Sequence, residues 1–441
     1  MDQAQPVEQP RHQDHPEHAD PAQGTDHRTR RDDDRPLFTP REVTAAFLAF
    51  ALLGAINAFY GPSIPALRNR FGLVPAQAGL ALSMFYVGAV VGVLAGASVH
   101  RRVGNGRLLV ISLIPMALGA LGFALAPNWP CALAASLFSG FGAGGIDYGL
   151  NGLFAVGFGK RSPAMLGILN AHYGLGAVLG PIVINFLGAR RYPIAFAGAA
   201  VLLVGTAWLL RTVRTAGGDP LDASAPAPAA TETSTESSAQ NIAIDAVGSR
   251  RRVLAVVCAF LALYALQVAI ETGVGAWEPT YLQSLGRGVG FAADATSGFW
   301  LMLMVGRLLV APLTLRWSEP TIVSVGCLGT TVCLGLAAIP AAAPYALAGA
   351  GLFNAPVFPA ALPWLNRAAP DVRWASMGAV LTANLGGVVA GPLLGLAIES
   401  FGRGAVPAVL TATSTVCLAL ALRLAARRGP TPAPPSPAFP E

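Results

Sequence analysis

Apolar residues run along this chain in long blocks, not at the spacing of one helical face. Twelve blocks lie at about 43–67, 76–99, 107–127, 131–157, 163–187, 193–212, 252–283, 292–315, 320–341, 345–366, 373–399 and 404–426. A hydrocarbon layer about 30 Å thick is crossed by about 20 such residues in a helix. The pattern predicts an all-α integral membrane protein of twelve transmembrane helices, split six and six by a polar stretch. That stretch, 213–251, holds Pro220, Pro226, Pro228 and a Thr/Ser/Glu run, the composition of a disordered linker. The polar tails, 1–42 and 427–441, are expected to be disordered as well. The expected domains are thus two six-helix bundles, 43–212 and 252–426.

The halves repeat one another. A shift of 214 residues brings Ser83, Phe85, Val91, Gly92, Leu94 and Ala97 onto Ser297, Phe299, Val305, Gly306, Leu308 and Ala311. The same shift sets Gly61, Pro65 and Gly72 on Gly275, Pro279 and Gly286, and Tyr86 on Trp300. A shift of 211 sets Gly167, Gly176, Gly180 and Pro181 on Gly378, Gly387, Gly391 and Pro392. Nearly equal offsets over three helix pairs predict two pseudo-symmetric bundles with a solute site near the midplane between them.

Charge fixes an orientation. Only 12% of the 441 residues are charged and mean hydropathy is +0.55. The net charge of +6 is almost wholly arginine, since Lys160 is the only lysine. With both termini cytoplasmic, 22 of the 29 basic residues fall inside and 6 outside, with Arg307 within a span. That asymmetry predicts a plasma-membrane protein with cytoplasmic termini, and speaks against nucleic-acid binding. The five cysteines have no paired or metal-ligand spacing and are expected to be free and buried. No phosphate-binding loop, zinc motif or nucleophile elbow is present, so an ATP-driven pump or an enzyme is not expected, and no cofactor or metal is implied.

Ionisable groups inside a span are costly and face a cavity or a partner. Asp147 shares a face with Gly140, Gly144 and Asn151; it reads as a proton-accepting carboxylate, or as a structural group bonded to a neighbouring helix, for instance to Arg307. Glu271 lies on a stripe with Tyr264, Gln267, Gly275 and Glu278 and reads as a substrate or proton site. Glu278 reads as a second such site or as a solvated residue near the outer mouth. Gly273, Gly275 and Pro279 are expected to break that span. His172 is a proton shuttle or a neutral interhelical bond, and Arg307 a pairing that switches or a static gate anchor. Gly176, Gly180 and Pro181 mark a helix that packs closely on another. The amides Asn57, Asn151, Asn170, Asn354 and Asn384 suit a polar solute or bond helix to helix. Trp277, Tyr60 and Tyr264 stack on a sugar ring or pack. Pro356 and Pro359 predict a bent tenth span.

These residues resemble a known family. Gly61-Pro62-Ser63-Ile64-Pro65-Ala66-Leu67, Gly144-Gly145-Ile146-Asp147-Tyr148-Gly149-Leu150-Asn151, Asn170-Ala171-His172-Tyr173-Gly174, Trp277-Glu278-Pro279-Thr280-Tyr281-Leu282 and Gly306-Arg307-Leu308-Leu309 are similar to the major facilitator superfamily over about 43–426, and within it to the fucose-permease-like branch. The sequence departs from that pattern in two places. The loop Gly96 to Gly104 carries no acid, and the first span offers only Asn57 where the branch carries an acid. The resemblance implies a secondary transporter working by alternating access, commonly with protons as the coupling ion. The expected function is proton-coupled movement, by symport, of a sugar or related small metabolite; the alternative is export of a drug or secondary metabolite in exchange for protons. The expected partners are the solute, protons and the lipid bilayer, with the chain acting as a monomer.

Overall fold

The computed structural model describes residues 37–213 and 239–426, apart from 373, and these fall in one compact unit. Among them the chain is helical and has no strand. The helices are α1 (Pro40–Phe71), α2 (Pro75–Val103), α3 (Asn105–Leu125), α4 (Trp129–Val156), α5 (Ser162–Leu187), α6 (Tyr192–Leu210), α7 (Ala239–Ser284), α8 (Val289–Thr314), α9 (Glu319–Leu336), α10 (Ala343–Asn354), α11 (Val357–Ala368), α12 (Ala375–Phe401) and α13 (Ala405–Ala426). With α10 and α11 taken as one interrupted crossing, twelve helices among the described residues are long and apolar enough to cross a membrane.

Local chemistry explains where the boundaries differ from the apolar blocks. α1 begins inside the expected tail because Thr39 and Glu42 close a capping box. The Thr39 N–H donates to Glu42 Oε2 at 2.7 Å and the Glu42 N–H to Thr39 Oγ1 at 3.4 Å. α7 begins inside the expected linker, since no proline or glycine interrupts residues 239–247. The rest of the expected linker, 214–238, and the tails 1–36 and 427–441 lie outside the described residues. The tenth crossing is broken between Asn354 and Val357. Pro356 has no N–H to donate back to Leu352, and its ring crowds that carbonyl. The expected break in the seventh crossing is absent: α7 runs through Gly273, Gly275 and Pro279 to Ser284. Gly275 instead admits a neighbour, because its carbonyl lies against Gly61 of α1.

Small residues set the packing, as lipid offers no hydrophobic drive between helices. In the first half α1 packs on α5 and α6, α2 on α4, and α3 on α4 and α6. In the second, α7 packs on α12 and α13, α8 on α10, and α9 on α10 and α13. Corresponding glycines make corresponding contacts. A β-carbon at Gly140 would strike the carbonyl of Phe85, and one at Gly92 that of Phe141. Their counterparts Gly351 and Gly306 meet Phe299 and Leu352. Phe85 to Phe299 and Gly92 to Gly306 is the offset of 214; Gly140 to Gly351 and Phe141 to Leu352 is the offset of 211. Contacts between the halves are reciprocal too, α2 with α12, α5 with α8 and α1 with α7, as a twofold relation between the halves requires. Gly176 faces the Ala51 carbonyl and Gly180 faces Ala55 and Ala58, so both serve the α1–α5 contact, and Pro181 is buried within α5.

The halves meet on one side. We call the side where α1 begins and α13 ends the terminal face, and the other the far face. Among the described residues, the hydrogen bonds between halves lie from mid-helix to the far face. The Ala76 N–H donates to Glu399 Oε1 at 2.6 Å, Asn185 Nδ2 to Asp294 Oδ1 at 2.9 Å, Ser83 Oγ to the Val388 carbonyl at 2.5 Å, and Thr272 Oγ1 to Tyr86 Oη at 3.1 Å. Gly79 and Gly391 touch backbone to backbone. These contacts close the far face, and among the described residues no hydrogen bond joins the halves on the terminal side.

Buried apolar side chains form two clusters. One spans both halves, and a smaller one joins the terminal third of the second half, including Phe260, Val357, Trp364, Ala379 and Leu424. All five cysteines are free. Cys327 and Cys417 are buried with sulfurs 3.7 Å apart, whereas, contrary to expectation, Cys131 and Cys258 are exposed and Cys333 is only half-buried.

Candidate functional site

A layer of polar side chains crosses the middle of the helices where the halves part. Its centre is an ion pair in the second half. Arg307 Nη2 of α8 donates to Glu271 Oε1 and Oε2 of α7 at 3.0 and 3.1 Å. Gln267, one turn earlier on α7, donates to Glu271 Oε2 at 3.2 Å, and Asn354 Nδ2, at the broken tenth crossing, donates to the Gln267 carbonyl at 3.4 Å. From the first half, Tyr86 Oη accepts from Asn57 Nδ2 at 3.2 Å and from Thr272. The Tyr173 ring lies 6.0 Å from the Arg307 guanidinium, within electrostatic reach of Asp147, Glu271 and Tyr86.

Asp147 anchors the first half's share. Asn151 Nδ2 donates to Asp147 Oδ1 at 2.8 Å, and Asn170 Nδ2 to Asn151 Oδ1 at 3.1 Å. The chain Asn170–Asn151–Asp147 therefore links α5 to α4, with Asn170 exposed at its open end. Asp147 is not the partner of Arg307; Glu271 is.

Other expected residues lie elsewhere. His172 stacks on Phe47 of α1, centroids 4.3 Å apart and planes within 5°, with Nδ1 at 2.8 Å from the Ile168 carbonyl. It belongs to the α1–α5 contact. Trp277 is fully buried and donates to the Gly391 carbonyl at 3.0 Å. Tyr60 sits among Phe85, Phe123 and Phe196, and Tyr264 Oη donates to the Phe358 carbonyl. These three aromatics pack. Asn384 Nδ2 returns to its own helix at the Val380 carbonyl. Tyr86, Tyr173 and Thr272 went unread in the sequence, since a lone tyrosine in an apolar run reads as packing; the 214 offset pairing Tyr86 with Trp300 was the available signal.

Glu278 is fully buried, not solvated; among the described residues no cation faces it, and the Thr296 hydroxyl is its polar neighbour. An ionised carboxylate there would carry the cost of a charge at membrane depth. Glu278→Gln, which puts a neutral group of the same shape in its place, should therefore leave the thermal midpoint of the purified protein unchanged between pH 6 and 8. A midpoint that falls only in the variant would show that the charged form is in use.

A profile of the Major Facilitator Superfamily matches residues 46–350. The chain belongs to that superfamily. It is a multi-pass membrane protein of a family of transporters, not enzymes. Among its relatives, the cyanate transport protein CynX of Escherichia coli (strain K12) is 29% identical over 160 residues, 35% of this chain and 41% of that one. The quinolone resistance protein NorA of Staphylococcus aureus (strain MRSA252) is 26% identical over 160 residues, 36% and 40% of the two chains. The matches thus span about two fifths of each relative. The fucose:proton symporter FucP of E. coli shares the fold at 17% identity, with a TM-score of 0.57 over 88% of this chain and 99% of that one. As in other superfamily proteins, the polar layer lies where two six-helix halves meet.

Proposed function

We propose that this superfamily member is a secondary active transporter that couples a small polar solute to protons by alternating access. The observation that carries this reading is the polar layer itself. Two carboxylates and one guanidinium lie at mid-membrane between pseudo-symmetric halves, beneath a closed far face and facing an open terminal face. Such groups are expensive there and are kept for use. Asp147, at the head of the Asn151–Asn170 chain, and Glu271 are the proton carriers in this scheme. The basic residues cluster at the terminal face, so that face is cytoplasmic, the membrane is the plasma membrane, and the conformation is inward-open. The chain works as a monomer of two bundles, 43–212 and 252–426.

The expectation of a sugar rested on amides lining the pathway and on the family resemblance. All five amides have partners: Asn57, Asn354 and Asn384 donate to Tyr86, the Gln267 carbonyl and the Val380 carbonyl, and Asn151 and Asn170 donate to Asp147 and Asn151, with Asn170 alone exposed. A small polar metabolite remains the reading. The NorA likeness supports export in exchange for protons as a second reading.

Purified protein in proteoliposomes with an internal pH dye tests both. Sugars, nucleosides, small carboxylates and fluoroquinolones should be offered in turn. A solute-driven proton flux is expected, inward with uptake or opposed to it with export, and Asp147→Asn and Glu271→Gln should each lower it at least about tenfold, the contribution of one positioned proton-transfer group. An undiminished flux in both variants would remove these residues from the mechanism.

A further inference from the structure

Arg307 holds Glu271 with one nitrogen only. Both carboxylate oxygens accept from Nη2, and among the described residues Nη1 and Nε have no hydrogen-bond partner. A guanidinium has five N–H donors, and its strong pairing with a carboxylate is a two-nitrogen fork. Here the fork is half used. The Arg307 side chain is 31% exposed and that of Glu271 only 10%. Arg307 is thus the more accessible member of the pair, with the Tyr173 ring of the first half 6.0 Å from its guanidinium.

Glu271 is equipped to lose this partner. Gln267 gives its amide N–H to the carboxylate, while Gln267 Oε1 is buried and has no hydrogen-bond partner. That oxygen is an acceptor without a donor, next to a carboxylate that has no hydrogen to give. Protonate Glu271 and the new O–H can donate to the Gln267 amide oxygen after the amide turns. An amide that can present either end can partner both protonation states. Orphaned buried acceptors are uncommon, and this one lies beside the group that would supply its donor.

Resting on the transport reading above, we propose that Arg307 is the docking point for a singly charged anionic group on the solute. That group replaces Glu271 in the ion pair, and Glu271 takes up one proton from cavity water as it is displaced. The exchange leaves no uncompensated charge at either end. Before it, Arg307 is matched by Glu271; after it, Arg307 is matched by the solute and Glu271 is neutral. Removing only one member of such a pair would leave a buried charge bare, which is the costly case. One proton enters with each anion, so the loaded site gains no net charge. A neutral solute has no claim on the guanidinium and would leave the pair shut. The titratable groups that face the pair are Tyr86 from α2 and Tyr173 from α5, and Asp147 of α4 lies within reach of Tyr173; α1, α10 and α12 bring no acid or base to this level.

The test is binding, read without transport. Acetate, lactate, benzoate and cyanate, with acetamide, benzamide, glucose and uridine as neutral probes, are titrated onto the full-length purified protein by calorimetry between pH 6 and 8. At least one anion should bind, weakening about tenfold per pH unit, the slope of one proton taken up per anion. Glu271→Gln should bind the same anion at every pH with the affinity the wild type shows at the lowest pH, where it binds most tightly. Arg307→Gln should not bind it, and Arg307→Lys, which keeps the charge and loses the fork, should bind it weakly with the wild-type slope. Silence from all four anions, binding of neutral probes alone, or a flat pH profile in the wild type overturns the proposal. A proton flux driven by a neutral solute would overturn it too, yet leave the transport reading standing; anion binding with no flux from any solute would do the reverse.

Discussion

Gly391→Leu is expected to abolish transport while both bundles stay folded. Gly391 of α12 and Gly79 of α2 touch backbone to backbone across the halves, and a β-carbon on either would fall on the other's peptide group. Within its own half Gly391 contributes its carbonyl, which accepts from Trp277, and leucine keeps that carbonyl. The substitution therefore spares the second half and forbids the closed far face. A two-state cycle held on one side by about 5.5 kcal/mol moves from 99:1 to 1:99, so the loss should exceed about 100-fold. Ser83→Cys in a cysteine-free background, beside the closed contact at Val388, should become reactive to an impermeant maleimide in the Gly391→Leu protein. Gly198→Leu, whose β-carbon meets nothing, is the control. Wild-type transport by the Gly391→Leu protein would mean that the far face does not close through this contact.

Arg307→Gln should cost more than a lost contact. It leaves Glu271 ionised beside Gln267 alone, or forces it to take a proton at every pH. Breaking a buried pair from one side costs about 3–5 kcal/mol, and the partial exposure of Arg307 reduces this to about 2 kcal/mol. The thermal midpoint should fall at pH 8 and recover toward pH 6, where protons are available to Glu271. In the double variant Arg307→Gln with Glu271→Gln the midpoint should recover at both pH values, since no bare charge remains, but transport should not return. Stability equal to wild type in the single variant, with transport intact, would make the pair a bystander.

Much of this was written in the chain itself. Blocks of about 20 apolar residues fixed the crossings because a bilayer tolerates few other spans. The offsets of 214 and 211 proved to be those of packed glycines, since backbone contact leaves no freedom in which residue is small. Depth along a helix was legible; rotation about it was legible only where a second residue shared the face. Arg307 was placed at the right level, yet its partner depended on which way α8 turns, and it turns toward α7. His172 shares a face with Gly176 and Gly180, and the same periodicity that put those two against α1 puts His172 on Phe47. Of the two readings given for His172, proton shuttle or neutral interhelical contact, this placement favours the second. Tyr86 and Tyr173 were hidden because their hydroxyls matter only once two halves, far apart in sequence, are brought together.

The interrupted tenth crossing makes the halves mechanically unequal. α4 is a single rod from Trp129 to Val156, whereas its counterpart is two short rods, α10 and α11, jointed at Ala355–Pro356. The terminal-side rod, α11, packs with its own small cluster of side chains, separate from the mass that joins the bundles. One jaw at the terminal face is thus rigid down its length, and the other can flex at the joint without disturbing the seal at the far face.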